Sequence, residues 1–379
     1  MPWNNRIEQR RELVCAMRRR RNTVQEICGH FGVSRAFAYR LSRRCAEAGW
    51  RGLVPRPRGP QRWRQGQAKA YRQWIMRARR RHEHWSGWKL WQLLRTAHPR
   101  VVLPSIRTVE RWLHRAGVTK RRPLRRRIQP QPLHQVRPAR RPNDRWTFDW
   151  KGWMRTGDGR KVEPFTVRDD ATGMLLWTRP LPDHRDVTVR RVCRRLFRIH
   201  GLPKAIRTDR GGPFCGTGPH GLTSLSAWWF DLGLAVEFVH RQARIHNNAH
   251  EQMHGIMQQE LFRHPAATYQ GQLARLRRWQ REYNQLRPHA RLDGLTPAQR
   301  YRSAPAALPK PSLATYPSTW KVRRVAHSGT IGLDGKIYYV SRAFAGFPVG
   351  CEPYDRGYRV YYRSLLLQIL APTLKVRTT

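Results

Sequence analysis

The sequence predicts a multidomain protein in which two small helical domains are followed by an α/β domain and a small β-barrel. Three observations predict this fold class. The 379 residues are enough for two or more domains. Hydrophobic residues recur with helical spacing up to residue 119 and alternate as in strands after residue 143. The 16 tryptophans and the hydrophobic share of 39% exclude a disordered chain.

The charge of the chain predicts a polyanionic partner. Lys and Arg number 75 against 24 acidic residues, which gives a net charge of +51. Residues 1–143 hold 37 of the basic residues and only 6 of the acids. The first part of the chain is therefore expected to bind nucleic acid, whereas the second part keeps enough acids to build a site.

Residues 1–58 are predicted to form a helix-turn-helix DNA-binding domain. Thr23 and Glu26 form a capping-box pattern that opens a short helix, Gly32 allows a turn, and Ser34 caps a second helix. The start of the second helix would meet the bases of a major groove. The alternative is a helical bundle with a solvated basic face. The expected core is Ile27, Val33, Ala38 and Leu41, and the expected DNA contacts are Arg35, Tyr39 and Arg40.

Residues 59–119 are predicted to form a second helix-turn-helix DNA-binding domain. One helix starts at about Trp85, and another starts after Pro104 and ends before Gly117. Arg107 and Arg111 are the expected DNA contacts. The apolar residues of these helices are expected to form a core rather than to stack on bases; they are Trp88, Trp91, Val109, Trp112 and Leu113.

Residues 120–142 are too rich in Pro and Arg to form a core. They suit an extended tether that lies along phosphates, with Arg125, Arg126 and Arg127 as contacts. The alternative is a solvated linker that contacts nothing.

Residues 143–264 predict an α/β domain. The pattern gives three strands, a helix, a strand, a helix, a strand and a helix. Asp149 ends the apolar run that starts at Trp146, and Asp209 ends the run that starts at Ile206. Both carboxylates are therefore expected at strand ends.

A third carboxylate, Glu251, is predicted on the first turn of the last helix of this domain, with Asn248 as its N-cap. The helix has two faces. Its apolar face carries Met253, Met257 and Leu261, and its polar face carries Glu251, His254 and Gln258.

The three carboxylates predict a metal-binding acidic site. Mg²⁺ prefers hard oxygen ligands, and two such ions can activate an attacking oxygen and stabilise a leaving one in phosphodiester chemistry. Each residue has a structural alternative: an Asx-turn for Asp209, a capping box for Glu251, and an arginine pair for Asp149. Other acids in the same region compete for the assignment, namely Asp169, Asp170, Asp183 and Glu237.

Four stretches of the chain resemble DDE-type insertion-sequence transposases, whose catalytic core is similar to retroviral integrase. They are Trp146-Thr-Phe-Asp149, Arg207-Thr-Asp209-Arg-Gly-Gly, Asn247-Asn-Ala-His-Glu251-Gln-Met-His and the run from Tyr283 to Tyr301. The chain departs from the family at Arg244, Ile245 and Asn248, where a Pro-Gln and a Gly usually stand, and in a Gly-rich insertion at 215–222.

The resemblance implies an RNase H-like core in which Asp149, Asp209 and Glu251 are catalytic and bind two Mg²⁺ ions, with Mn²⁺ as a substitute. It implies hydrolytic nicking of element ends, followed by attack of the freed 3′-hydroxyl on another strand. The implied partners are double-stranded DNA, as element ends and target, and further copies of the chain.

The rest of the chain is predicted to support this core. Residues 265–318 form a helical extension and linker, in which Arg287 and His289 either contact phosphate or hold the extension against the core. Residues 319–379 give short strands, with a hairpin turn at Asp334-Gly335, and are expected to form the small β-barrel.

The six cysteines form no C-x-x-C pair, and no run of 18 apolar residues could span a bilayer. We therefore expect a cytoplasmic, DNA-associated protein with reduced thiols, no membrane contact and no small-molecule substrate, in a prokaryotic cell. Three other functions fit the composition: a catalytically impaired DNA-binding regulator derived from a transposase, a nuclease that cuts without joining, and a nucleic-acid-coating protein.

Overall fold

The computed structural model describes residues 6–54, 65–119, 138–239, 248–305, 314–355 and 357–370. The chain divides into two compact units, Met1–Lys69 and Ala70–Thr379.

The first unit contains the helices α1 (Arg6–Arg19), α2 (Val24–Phe31) and α3 (Arg35–Ala48). The predicted capping box is present at the start of α2, because Thr23 and Glu26 each accept a backbone hydrogen bond from the other. Gly32 turns the chain at φ 61°, and the Ser34 hydroxyl accepts from the amide of Phe37 to cap α3. The helix-turn-helix prediction is therefore confirmed. Its core contains Ile27, Ala38 and Leu41 as predicted, with Val33 at the margin, and also Leu13, Val14 and Leu53.

Helix α4 (Gln65–Arg81) spans the boundary between the units, and α5 (Gly87–Ala97) and α6 (Ile106–Arg115) follow it in the second unit. Ser86 and Ser105 cap α5 and α6, and Gly117 follows α6 in the left-handed region at φ 67°. Residues 98–105 connect α5 to α6, which is longer than the three- or four-residue turn of a helix-turn-helix. The predicted tandem arrangement is therefore not confirmed. Val109 and Leu113 are buried, and Trp91 and Trp112 pack beside them, as expected of a core.

A mixed five-stranded sheet forms the centre of the second unit. Its strands are β1 (Trp146–Trp150), β4 (Pro164–Asp169), β5 (Leu175–Pro180), β6 (Ala205–Thr208) and β7 (Ala235–Phe238), in the order β5-β4-β1-β6-β7. The first three strands are antiparallel, and β6 and β7 run parallel to β1. This is the sheet of the expected RNase H-like core. A separate small hairpin, β2 (Met154–Arg155) with β3 (Lys161–Val162), precedes β4.

Helices α7 (Asp186–His200) and α8 (Ser224–Asp231) pack against this sheet. They bury a cluster rich in aromatic side chains, which includes Trp146, Phe148, Phe165, Phe197, Phe214 and Trp229. Trp146 and Phe148 come from β1, the strand that carries Asp149, and Phe165 comes from its neighbour β4, so this cluster fixes the strand that carries that carboxylate.

Helix α9 (Asn248–Met257) continues through a π-helical turn, Gln258–Phe262. The predicted apolar face of α9 is confirmed, since Met253, Met257 and Leu261 are buried. They pack against α10 (Tyr269–Gln285), the main helix of the extension. A short helix, α11 (Pro297–Arg300), follows and begins with a capping box at Thr296.

The extension is an integral part of the core domain, and Asn143 ties its end to the start of the sheet. The Asn143 amide oxygen accepts from the Tyr301 hydroxyl and from the Trp146 indole, both at 2.9 Å. Its side-chain nitrogen donates to the carbonyl of His200, and its backbone amide donates to Asp169. One left-handed residue, at φ 64°, thus joins four separate segments of the chain.

The C-terminal residues contain β8 (Lys321–Arg324), β9 (Thr330–Leu333), β10 (Lys336–Tyr339), β11 (Pro348–Tyr354), β12 (Gly357–Tyr362) and β13 (Leu365–Leu370). Four of them form a sheet in the order β13-β12-β11-β8, and β9 and β10 pair through the predicted Asp334-Gly335 turn. The described strands do not close on one another, so the predicted β-barrel is not confirmed.

The C-terminal sheet packs on α8 and on the Gly-rich insertion. Tyr362 donates a hydrogen bond to Asp231, and Arg363 contacts the same carboxylate at 3.0 Å. His220 of the insertion lies 2.6 Å from the carbonyl of Leu366. Among the helices of the described ranges, none has the length and apolar content needed to cross a bilayer.

Candidate active site

The sheet topology brings two of the predicted carboxylates to one edge. Asp149 is the fourth of the five residues of β1, and Asp209 directly follows β6. Since β1 and β6 are parallel neighbours, their carboxyl ends lie at the same edge of the sheet. Glu251 lies in the first turn of α9, as predicted. Asn248, the predicted N-cap, lies within the helix, and residues 240–247, which precede it, lie outside the described part of the chain.

The electrostatics of Asp149 reflect the charges of both other carboxylates. Its pKa is raised to about 7, first by burial and then by the negative charge of Asp209, with a further contribution from Glu251. The backbone amide of Trp150 and the charge of Lys151 oppose this rise. A raised pKa means that the ionised form of Asp149 is unfavourable here unless a cation compensates its charge.

The competing acids of the domain are engaged in structural contacts. Asp169 accepts from the backbone of Asn143 and from Thr172, whereas Asp170 pairs with Arg145 at 2.8 Å. Three further pairs have the same role: Glu237 with Arg207, Asp183 with Arg185, and Asp144 with Lys204.

The Asx-turn alternative for Asp209 also describes a real contact. One of its oxygens accepts from the amide of Gly211 at 3.2 Å. A carboxylate has two oxygens, so this turn orients Asp209 without excluding a second ligand.

Two histidines of α9, His250 and His254, complete the site and were not predicted as functional residues. The ring of His250 lies between two threonine hydroxyls, with Nδ1 2.8 Å from Thr147 Oγ1 and Nε2 2.7 Å from Thr166 Oγ1. His254 Nε2 lies 2.9 Å from the same Thr166 oxygen, and His254 Nδ1 lies 3.6 Å from Asp149 Oδ2. The spacing of four residues on one helix face was the available sequence signal.

Burial keeps both imidazoles neutral. It holds the pKa of His250 well below its usual range and lowers the pKa of His254 to about 3, with the charge of Lys151 contributing to the latter. A neutral imidazole carries a lone pair on one ring nitrogen, and this lone pair is what a metal ion binds.

The donor set fits a divalent cation. Asp149, Asp209 and Glu251 offer hard carboxylate oxygens, which Mg²⁺ and Mn²⁺ prefer, and the elevated pKa of Asp149 is what an uncompensated cluster of this kind produces. Asp149, His250 and His254 also form a group whose ligand atoms lie within 4.8 Å of one another.

The residues predicted to contact DNA fall into three groups. Arg35, Tyr39 and Arg40 are exposed on α3, and Arg107 and Arg111 are exposed on α6. Arg125, Arg126 and Arg127 lie outside the described residues.

Arg287 and His289 form the third group, and they face the protein. Arg287 is 4% exposed, pairs with Glu260 at 2.5 Å, and stacks over the rings of Trp85 and Tyr283. His289 packs edge-on against Tyr283. These contacts favour the alternative that the pair holds the extension against the core.

Comparison with known proteins agrees with the two parts of this architecture. Residues 9–61 match the family described as "Helix-turn-helix domain", and residues 232–297 match "Integrase core domain". The chain is 28% identical over 194 residues to an uncharacterized 31.7 kDa protein of insertion element IS407 from Burkholderia multivorans, covering 50% of this chain and 67% of the relative. It is 25% identical over 287 residues to an uncharacterized 39.2 kDa protein of IS476 from Xanthomonas euvesicatoria, covering 75% and 77%.

Solved structures give weaker similarities. A magnesium complex of the HTLV-2 integrase catalytic core domain aligns with 43% of this chain and 98% of its own, at 14% identity and a TM-score of 0.32. A chain of the simian T-cell lymphotropic virus intasome, solved in complex with the PP2A regulatory subunit B56 gamma, aligns with 74% of this chain and 95% of its own, at 15% identity and a TM-score of 0.36. TM-scores this low support no argument, and the description of the fold rests on the order of the strands in the sheet. Residues 9–61 are therefore similar to a helix-turn-helix domain and residues 232–297 to an integrase core domain, and the chain as a whole is similar to proteins of insertion elements.

Proposed function

We propose that this protein is a DNA transposase that binds the ends of an insertion element, nicks them hydrolytically and joins the freed 3′-hydroxyl to another DNA strand. One observation carries the proposal: the pKa of Asp149 is raised by burial and by the charges of Asp209 and Glu251, at the carboxyl edge of two parallel strands. A cluster of carboxylates is electrostatically unfavourable in a metal-free protein. This one lies in a chain that is otherwise strongly basic, with a net charge of +51.

Asp149, Asp209 and Glu251 would hold two Mg²⁺ ions, with Mn²⁺ as a substitute. When bound, the ions activate the attacking oxygen and stabilise the charge on the leaving oxygen. The protein's own residues do the positioning. The aromatic cluster fixes β1 beneath Asp149, the Asx-turn orients Asp209, and the buried face of α9 places Glu251.

The remaining basic surface would bind the DNA. Arg35, Tyr39 and Arg40 are exposed at the start of α3, where a helix-turn-helix meets a major groove. Arg107 and Arg111 on α6 would add contacts to a longer site, and Arg125, Arg126 and Arg127 would follow the phosphates. Transposition joins two element ends, so the active form is proposed to be an oligomer on double-stranded DNA.

The test uses purified full-length protein, Mg²⁺ and duplex DNA that carries the flanking element ends. Nicked and joined products are resolved on denaturing gels for the wild type and for Asp149→Asn, Asp209→Asn and Glu251→Gln. We expect each substitution to reduce both products about a hundredfold or more, because each removes a charged metal ligand. Asp183→Asn is the matched control, since Asp183 pairs with Arg185 outside the site.

Each outcome assigns a role. Retained joining in any one variant removes that residue from the site. DNA binding without metal-dependent nicking identifies a regulator derived from a transposase, and nicking without joining identifies a nuclease. DNA binding by the three variants, measured in parallel without Mg²⁺, should match the wild type.

A further inference from the structure

The hydrogen bonds around Thr166 determine which nitrogen of His254 carries its proton. Thr166 Oγ1 lies within hydrogen-bond distance of three atoms: the carbonyl oxygen of Asp149 at 2.8 Å, His250 Nε2 at 2.7 Å and His254 Nε2 at 2.9 Å. A carbonyl oxygen can only accept, so the single hydroxyl proton is donated to Asp149. Both histidine nitrogens must then donate to the two lone pairs of the hydroxyl.

The same assignment satisfies His250 completely. Its Nε2 donates to Thr166, so its Nδ1 accepts from the hydroxyl of Thr147 at 2.8 Å. This contact is shorter than the 3.3 Å from the same hydroxyl to its other acceptor, the carbonyl oxygen of Arg168. Both nitrogens of this fully buried ring are therefore engaged within the protein. His250 anchors α9 on β1 and β4 and has no lone pair left for a ligand.

The same assignment has a different result for the two ring nitrogens of His254. Its Nε2 carries the proton, so its Nδ1 carries the lone pair, and this lone pair faces Asp149 Oδ2 at 3.6 Å. A lone pair and an ionised carboxylate repel each other at this distance, whereas a cation between them attracts both. Two atoms that bind one ion at about 2.1 Å lie roughly 3.0–3.4 Å apart, so a small adjustment brings this pair into ligand geometry.

We propose that His254 Nδ1 is a ligand of the metal ion held by Asp149, which makes this site a mixed nitrogen and oxygen site. The inference rests on the proposed metal-dependent function and adds to it a residue outside the carboxylate triad. An imidazole nitrogen suits a transition ion such as Mn²⁺ better than it suits Mg²⁺. The ratio of the Mn²⁺ affinity to the Mg²⁺ affinity should therefore be larger at this site than at a site made of three carboxylates alone.

The test is spectroscopic and needs no DNA. Metal-free full-length protein is loaded with Mn²⁺ alone, and pulsed electron paramagnetic resonance detects the ¹⁴N coupling that a directly bound imidazole gives. The unbound Mn²⁺ signal yields the affinity, and competition with Mg²⁺ yields the preference. The variants are His254→Phe, His254→Asn and Asp149→Asn, with the exposed His264→Phe as control.

We expect ¹⁴N coupling in the wild type and in the control, and none in either His254 variant. His254→Phe should weaken Mn²⁺ binding by about tenfold or more and narrow the preference for Mn²⁺ over Mg²⁺. His254→Asn places an amide oxygen near the position of Nδ1, so it should recover part of the affinity without the coupling. Because Asn keeps the site polar, this variant tests the proposal even if the Phe variant fails to fold, as judged by circular dichroism.

Coupling absent from the wild type, or retained in a folded His254 variant, overturns the proposal. If Asp149→Asn loses Mn²⁺ while the His254 variants keep wild-type affinity, the carboxylate site stands and only the role of His254 fails. If Asp149→Asn also binds Mn²⁺ as the wild type does, the metal site of the proposed function fails together with this inference.

Discussion

Replacement of Asp149 by Asn should stabilise the metal-free protein at alkaline pH. The ordinary pKa of this carboxyl is 3.8, and in the folded protein it is raised to about 7. Because the folded-state pKa lies above the unfolded-state value, ionisation is less favourable in the folded protein. The resulting loss of stability is absent below about pH 4, grows between about pH 4 and pH 7, and is complete above that range. An amide does not ionise, so Asp149→Asn avoids this loss.

The size of the effect follows from the pKa. A rise from 3.8 to about 7 corresponds to about 4 kcal/mol, at about 1.4 kcal/mol for each tenfold change in proton affinity. The Asp149 side chain is 20% exposed, so solvent screens part of this penalty. We expect the variant to gain about 2–4 kcal/mol in unfolding free energy at pH 8 and less than about 1 kcal/mol at pH 4.5.

The assay is urea unfolding of both proteins in EDTA at the two pH values. Asp144→Asn is a control of opposite sign, because a hydrogen bond from Lys204 and the backbone amide of Arg141 lower the pKa of Asp144 to about 2. A depressed pKa gives stability that is present above the unfolded-state value and lost on acidification. Asp144→Asn should therefore be less stable than the wild type at pH 8 and approach it at low pH. An Asp149→Asn protein no more stable than the wild type at pH 8 would refute the raised pKa that burial and the two neighbouring carboxylates give Asp149.

Three further predictions concern the rest of the chain. Arg287→Met should lower the unfolding free energy by about 3–5 kcal/mol, because it leaves the mostly buried Glu260 carboxylate without its charged partner, with the Trp279 indole still donating to it. DNA affinity, measured at a salt concentration that keeps the variant folded, should not change. A loss of affinity that is uniform across DNA sequences would instead show that Arg287 contacts DNA. Arg35→Ala should weaken binding to the element end by about 1–3 kcal/mol in gel-shift titrations. An equal loss of affinity for unrelated DNA would contradict a role of Arg35 in sequence recognition. Asp231→Ala removes the carboxylate that accepts hydrogen bonds from Tyr362 and Arg363. The backbone amides of β12 should then exchange hydrogen for deuterium faster, as measured by mass spectrometry. An unchanged exchange rate would show that apolar packing alone fixes the C-terminal sheet.

Local sequence signals predicted the elements that depend on local physics. The capping box at Thr23 and the turn at Asp334-Gly335 each require only neighbouring residues, and both are present. The order of strands and helices in the core also followed from periodicity. Strand β11 was missed because Pro348, Gly350 and Pro353 weaken its pattern, and it forms through pairing with β8 and β12 instead.

The carboxylates of the site were predictable from strand ends, whereas the histidines were not. The ring of His250 contacts Thr147, which is 103 residues away in the sequence, and Thr166, which is 84 residues away. No local sequence pattern reveals that the ring lies between these two side chains. Arg287 shows the converse. An arginine in a basic chain suggests phosphate binding, and only the fold reveals the acid and the two rings that enclose it.

The hydrogen bond between Asn143 and Tyr301 has a consequence for biosynthesis. The ribosome delivers the chain from its N-terminus, and domains generally fold as units. Asn143, which precedes the first strand of the sheet, accepts a hydrogen bond from the hydroxyl of Tyr301, 158 residues later in the chain. A nascent chain that has already exposed Asp149, Asp209 and Glu251 must therefore wait for the extension to emerge before its core closes. The helix-turn-helix of α1 to α3 can fold during this interval.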